Sequence, residues 1–538
     1  MRIFGRGEDK SEYEVLIIGA GPVGLTMANL LGCYGVSTLL IEKNASTVSE
    51  PRAVSIDDES LRTMQAAGLG QEIIKDLMMD YGSDYISTKG TVFASVRPET
   101  REFGYPRRNG FHQPILEATL RKGLGRFKHV RVLFEHELEN LAQSESGVKA
   151  TIIDSSGKSR EVLAQYAAAC DGASSPIREK VLGIDLDGST YDQKWIIIDL
   201  SETKNSYHHT QVYCDPYRPA ISLPGPGGTR RFEFMMRPGE SDEQALDPNR
   251  VSQMIQRIGP DAESERLRTT VYGFHARIAK NWQVGRISLH GDAAHLSPPF
   301  AGQGMNSGIR DAFNYAWKLS LVVKGQLPAS ILSSYEAERK PHAEQLINMA
   351  IRLGRVMMPR NKAQAVLTCL AFRLMSLYSP AKDYFIQMKY KPKPRFEKGF
   401  FLPDSKSKST TLVGRMFPQP ELEMSDGSSC LLDNLLGNDF ALLYLPASGS
   451  TPISPVFLKS KSINIRQICI VPQESALPES TRIKCLRDHK GQLSQIFDHY
   501  MDQVILIRPD RYVALAMPQH TDIGEQIESL FSEQTNQS

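Results

Sequence analysis

At 538 residues the chain exceeds what a single hydrophobic core supports, and roughly two to four domains are expected. Its 63 lysines and arginines nearly balance 61 aspartates and glutamates, a net charge of +2 that gives no electrostatic case for nucleic acid or an anionic membrane as partner. The seven cysteines are scattered, with no CxxC pair and no metal-ligand spacing, which predicts a reduced, cytoplasmic protein without a metal site.

Met1 to Glu14 is polar and lacks the apolar core of a signal peptide. The wholly apolar run Val15 to Ile18 reads as a strand buried on both faces of a parallel sheet. It leads into Gly19-Ala20-Gly21-Pro22-Val23-Gly24, then into a helical pattern from Leu25 to Tyr34 and a second apolar run, Thr38 to Ile41. In this order Gly19 permits a tight turn, Gly21 lets a pyrophosphate approach the backbone, and Gly24 lets helix pack on strand. The helix N-terminus then offers unpaired N–H groups and partial positive charge to phosphates. Glu42, 18 residues after Gly24, stands where a carboxylate accepts hydrogen bonds from a ribose, with Lys43 beside it.

Arg52 follows in a turn-rich loop, placed either to reach a cofactor or to stand in solvent, and a helix is expected from Asp57 to Ala67. Residues 81 to 104 alternate as strands of a second layer. Gln113 opens another helix, as a ligand-facing amide or a plain cap. Val130 to Leu133, Lys149 to Ile153 and Glu161 to Ala164 read as a small antiparallel layer. Asp171-Gly172 ends a further strand, and Leu186 to Tyr272 is strand-rich, with Arg218, Arg231 and Arg237 among its aromatics. Those arginines could hold a carboxylate bidentately or simply be solvated. Tyr272 and His275 fall on opposite faces of one strand.

Ile287 to His290 is a short strand ending in Gly291-Asp292, followed by a loop with Gly302, Gly304, Met305 and Asn306 and a helix from Ser307 to Val323. Leu346 to Met358 and Ala365 to Tyr378 are too short and too broken by arginine to span a membrane, and read as amphipathic helices packed on the protein. Asp404 to Thr411 reads as a linker, and residues 412–520 as a separate small α/β domain.

The GxGxxG turn, the Asp171-Gly172 passage and Gly291-Asp292 with its glycine loop together resemble the FAD-dependent aromatic hydroxylases, the group A flavoprotein monooxygenases, over nearly the whole chain. Pro51-Arg52-Ala53-Val54, Tyr213 to Pro219 and Arg230 to Phe234 are most similar to the 3-(3-hydroxyphenyl)propanoate hydroxylases. The resemblance implies an α/β fold: a discontinuous Rossmann-like FAD domain (11–80, 105–185, 275–400), an inserted β-sheet substrate domain (81–104, 186–274) and a C-terminal thioredoxin-like domain without its redox motif. It implies FAD at Gly19, Gly21, Gly24, Glu42, Lys43, Arg52, Gln113, Asp171, Asp292, Gly302, Gly304, Met305 and Asn306, with NADH or NADPH as co-substrate. The implied reaction adds a hydroxyl ortho to that of a small phenol, using O2 through a flavin C4a-hydroperoxide, with Tyr272 or His275 aiding deprotonation. The C-terminal domain is expected to serve packing or subunit contact, and a homodimer is one expected state. The competing readings are a flavin oxidase, an enzyme for larger polyketide-like aromatics, and a non-enzymatic FAD-binding protein.

Overall fold

The computed structural model describes residues 11–447, 463–475, 477, 483–519 and 521–533; the first ten residues of the polar N-terminal stretch lie outside them. The expected first strand runs Glu12–Ile18 and pairs in parallel with Thr38–Glu42 on one side and Ser159–Ala169 on the other. Between them lies the helix Pro22–Cys33, whose residues from Gly24 to Gly32 are buried. Ile287–Leu289 extends this sheet beyond Ser159–Ala169, again in parallel. The C-terminal ends of three strands therefore bring Gly19, Cys170-Asp171 and His290-Gly291 together, the edge at which such sheets bind ligands.

The small antiparallel layer differs from expectation. Val130–Phe134 pairs in parallel with Thr38–Glu42 and belongs to the main sheet. The layer consists of His136–Gln143, Val148–Asp154 and the first half of Ser159–Ala169. His136–Gln143 reads HELENLAQ, mostly exposed and without alternation, so its pairing is set by the neighbouring strand rather than by its own pattern.

A second eight-stranded sheet contains Leu186–Leu200, Arg230–Met235 and the long strand Arg266–Ala279. Alternation divides its residues between two cores. Ile196, Ile198, Phe232 and Phe234 pack with Val251 and Ile255 of the helix Pro248–Gln256. Trp195, Ile221 and Phe274 pack on the other face with Phe300, Met357 and Met388.

The described residues of the C-terminal part form a seven-stranded sheet whose centre includes Phe440–Leu445, Ile465–Val471 and Gln503–Ile507. Helix Ile523–Glu533 supplies Ile527 and Leu530 to its core. Two buried charge clusters tie this unit to the first domain. Arg62 and Arg511 share Asp433, while Glu338 and Asp510 flank Arg508. The linker therefore ends in a docked domain rather than a free one.

Two helical expectations change. Gly304, Met305 and Asn306 form the first turn of a helix, Gly304–Val323, instead of a loop. Helix Lys362–Ser376, expected to lie packed on the protein, carries a largely exposed row of leucines. Among the described residues no helix is long and apolar enough to cross a membrane.

Candidate active site

The first turn is closed by backbone contact. A Cβ on Gly19 (φ +104°) would lie 2.3 Å from the Cys170 carbonyl oxygen, and one on Gly24 would lie 2.0 Å from that of Gly19. A Cβ on Gly21 would meet nothing within 4 Å. The helix that follows has no side-chain cap and no acid in its first turn, so its N–H groups are offered to an anion. Glu42 accepts the Ala20 N–H at 2.9 Å and the Asn44 N–H at 3.0 Å, which brings its carboxylate against this turn. Lys43 is exposed next to it.

Asp171 adjoins the same turn: its backbone nitrogen would be 3.2 Å from a Cβ on Gly19. One of its carboxylate oxygens accepts the Ile177 N–H at 3.3 Å, while the other is buried without a partner among the described residues. Burial lifts its pKa above the usual carboxylate range. Such an acceptor is costly to bury unless something donates to it.

The Gly291-Asp292 turn is fixed from behind by a residue that sequence reading missed. Asp311 accepts the Gly291 N–H at 3.1 Å, His295 Nε2 at 2.7 Å and Arg339 Nε at 3.0 Å. Burial alone would raise its pKa, but His295 and Arg339 hold it well below the usual range. Asp292 itself keeps its surface exposed although protein surrounds it, so its carboxylate lines a cleft. Desolvation there pushes its pKa up against the pull of His295 and Arg52.

Two amides predicted to meet a cofactor are engaged by the protein. The Asn306 side chain accepts from Asp57 N and Ser60 Oγ and donates to the Ser55 and Gly302 carbonyls. It thus ties the glycine turn to the 55–60 segment. Gln113 accepts from Arg52 N at 3.1 Å and Ala53 N at 2.7 Å and donates to Glu117, so it shapes the loop that presents Arg52. Arg52 is exposed, as a residue facing a ligand must be. Met305 is half-buried against the first core, and a Cβ on Gly304 would again meet open space. Gly302 has φ +61°, where glycine is favoured, and a Cβ there would approach Ser55.

Across the cleft, Tyr272 lies near enough to Asp292, Arg52 and Arg268 for their charges to act on it. Burial, followed by Asp292, moves its pKa up. Its neighbours are aromatic: Phe274 lies 5.7 Å away, and Phe274 in turn contacts Phe300 at 5.5 Å and Trp195 at 5.9 Å. His275 points to the opposite face and meets Thr190 Oγ1 at 3.1 Å, so it does not join this group.

The three arginines also part company. Arg218 is paired with Glu240 at 2.8 Å, next to Met254 on the far side of the sheet. Arg231 grips Asp199 and donates to the carbonyls of Pro51 and Arg52, so its fork holds the Arg52 loop and is not left free for a ligand. Arg237 stacks over Tyr217 at 4.7 Å. Glu233 and His112, which sequence reading passed over, are close to Arg231. Glu233 is buried with a raised pKa, and His112 has a lowered one and a buried Nδ1 without a hydrogen bond among the described residues. No local motif marks them: Glu233 follows Arg231 by two residues on the same strand, and His112 is the N-cap residue of the helix Gln113–Gly123.

Among the described residues one acidic cluster has the compactness of a metal site, Asp57-Asp58-Glu59. Arg310 pairs with Asp57 and Glu59, and Lys391 lies within 4 Å of all three acids, so these cations balance the cluster.

Residues 12–350 match the FAD binding domain family, and 414–533 the HcaD C-terminal domain family. The chain belongs to the FAD-dependent aromatic hydroxylases. This hydroxylase is 38% identical over 531 residues to the 3-(3-hydroxy-phenyl)propionate/3-hydroxycinnamic acid hydroxylase of Klebsiella pneumoniae (strain 342), covering 97% of this chain and 95% of that one. It is 36% identical over 528 residues to the enzyme so named from Shigella sonnei (strain Ss046), with the same coverage. In fold it matches the flavin-dependent monooxygenase PieE, solved with FAD and substrate, with a TM-score of 0.81 at 20% identity over 99% of this chain and 100% of that one. Aklavinone-11 hydroxylase gives 0.77 at 21% identity over 98% and 100%.

The hydroxylase uses FAD, with NAD(P)H as co-substrate, and its residues fit the flavin nucleotide. The uncapped helix offers donors, the open positions over Gly21 and Gly304 leave room, and the unpartnered Asp171 oxygen offers an acceptor for a dinucleotide. In the C-terminal domain the absence of CxxC does not keep thiols apart. Cys469 and Cys485 stand in register on adjacent parallel strands, neither of them in a disulfide, and each supports the core beneath Ile523–Glu533.

Proposed function

We propose that this hydroxylase acts on 3-(3-hydroxyphenyl)propanoate or a close relative, placing a second hydroxyl ortho to the first. The aromatic wall of Trp195, Phe274 and Phe300, which ends at Tyr272, carries this reading. Relatives bearing that name over almost the full length support it. Bound FAD, reduced by NAD(P)H, supplies the oxygen activation and transfer. The chain's own part is to hold the ring, exclude water and manage the phenolic proton.

In this proposal Gly19, Gly21 and Gly24 hold the pyrophosphate, Glu42 the ribose, and Arg52 and Asp292 the region between phosphate and flavin ring. Gly302 and the helix from Gly304 set the ring's edge, and the N-terminus of that helix, which lacks an acid, favours negative charge on the reduced ring. Tyr272 relays the proton. Discontinuous FAD-binding, substrate-binding and thioredoxin-like domains with the boundaries given above follow from the same reading. A cytoplasmic setting is supported by the scattered spacing of the seven cysteines along the chain, which offers no CxxC pair. A homodimer is proposed as the working state.

A panel of phenols with and without side-chain carboxylates tests the substrate. Carboxylated members should accelerate NAD(P)H oxidation and gain one oxygen atom in product mass. Exclusive turnover of uncharged or multi-ring phenols would discard this substrate class while leaving the hydroxylase intact.

Tyr272→Phe should reduce turnover by about 10²-fold, the lower end of what a positioned acid or base contributes, with FAD retained. His275→Ala should change turnover little. Equal losses in both would remove Tyr272 from its assigned role.

A further inference from the structure

Helix Lys362–Ser376 has an inner and an outer face that can be read in heptads. Ala365 and Phe372, seven residues apart, face the body of the protein. Ala365 is buried, and the Phe372 ring meets Phe93 at 5.6 Å and Phe385 at 4.8 Å. On the opposite side Leu367, Leu370, Leu374 and Leu377 follow a 3-4-3 spacing, the a and d positions of a heptad in which Ala365 and Phe372 take f. These leucines are 49 to 82% exposed, and Val366, Tyr378 and Tyr384 widen the patch at 51 to 66%. Scaled by ordinary side-chain areas, the patch approaches the ~800 Å2 that one partner buries in a standard interface. That exceeds what monomers usually leave exposed.

We infer that this leucine row is the contact between two copies of the chain, related by a two-fold axis and packing leucine against leucine. A C2 contact uses one patch on both subunits, which suits a repeat of a single residue type. A helix lying on a membrane would instead turn a strongly charged face to water. Here Lys362 and Arg373 are the helix's only charged residues, too few for such a face, and the side opposite the leucines is taken by the contacts of Ala365 and Phe372 with the protein. This assignment deepens the proposed homodimer but does not depend on the substrate.

Light scattering coupled to size exclusion tests it on the full, FAD-loaded chain between about 1 and 50 µM. The wild type should show twice its 60.0 kDa mass. L370E combined with L374E should halve that mass and weaken association at least 100-fold. Because both positions are exposed, the variant should keep its flavin absorbance and thermal midpoint; L377K provides a second, milder version. Raising salt should preserve or tighten the wild-type dimer, since the contact is apolar and its basic rim is screened. A wild type that is monomeric throughout, or a folded double variant that remains dimeric, would overturn the assignment. So would a monomer that cosediments with phosphatidylglycerol vesicles and loses that property in the variant.

Discussion

Gly21→Val should yield a folded protein that no longer retains FAD, whereas Gly24→Ala should damage the fold itself. Gly21 has extended backbone (φ −76°, ψ −177°), open to any residue, and a Cβ there meets nothing within 4 Å. The substitution therefore leaves the apoprotein unstrained, and losing glycine's freedom in the unfolded chain adds on the order of 0.5 kcal/mol of stability. The added side chain instead stands where the pyrophosphate must approach. Flavin affinity should fall at least tenfold, equivalent to about 1.4 kcal/mol. At Gly24 the Cβ would lie 2.0 Å from a backbone oxygen, with Cys170 Cβ at 3.3 Å, so the turn or the helix must shift. Overpacking of this kind costs about 1–3 kcal/mol or more. Flavin absorbance per chain and thermal unfolding of both variants check the contrast. A Gly21→Val protein with full flavin content would remove the pyrophosphate from this turn.

Arg508→Met should destabilise the protein by about 3–5 kcal/mol, because it leaves buried carboxylates facing one another without their cation. Arg508 binds Glu338 through both terminal nitrogens, at 2.7 and 2.8 Å, and Asp510 at 2.6 Å. The rings of Trp317, Phe396 and Tyr512 surround its guanidinium at 5.2 to 5.6 Å. Lys318 bonds Glu338 as well and compensates in part. Since Glu338 lies in the first domain and Arg508 in the last, the loss should appear as earlier denaturation and faster proteolysis near Asp404 to Thr411.

The same network fixes an acid limb. Burial would raise the Glu338 pKa, but Arg508 and Lys318 lower it from 4.5 to about 2. An acid with a depressed folded pKa adds stability that is present above its unfolded value and is lost as pH falls from about 4.5 towards 2. In Arg508→Met that limb should shrink. An unchanged denaturation midpoint together with an unchanged acid limb would show that the junction carries no such coupling.

By itself the sequence determined the parts whose signals are local. Val15 to Gly24 specified strand, turn and helix because apolar runs and glycines act within a few residues. The contacts at Gly19 and Gly24 realise that reading. Family motifs carried the cofactor and reaction class in the same way. The tertiary structure decided every role that depends on partners distant in the chain. Arg231 offered a carboxylate fork to sequence reading, yet Asp199, Pro51 and Arg52 claim it through strand pairing and domain contact. Asn306 and Gln113 had the chemistry to face a ligand, but nearby backbone groups satisfy them first. Cys469 and Cys485, 16 residues apart, became neighbours only when parallel strands set their register. Hydrogen-bond valence and strand register are properties of the assembled chain, and no run of residues states them in advance.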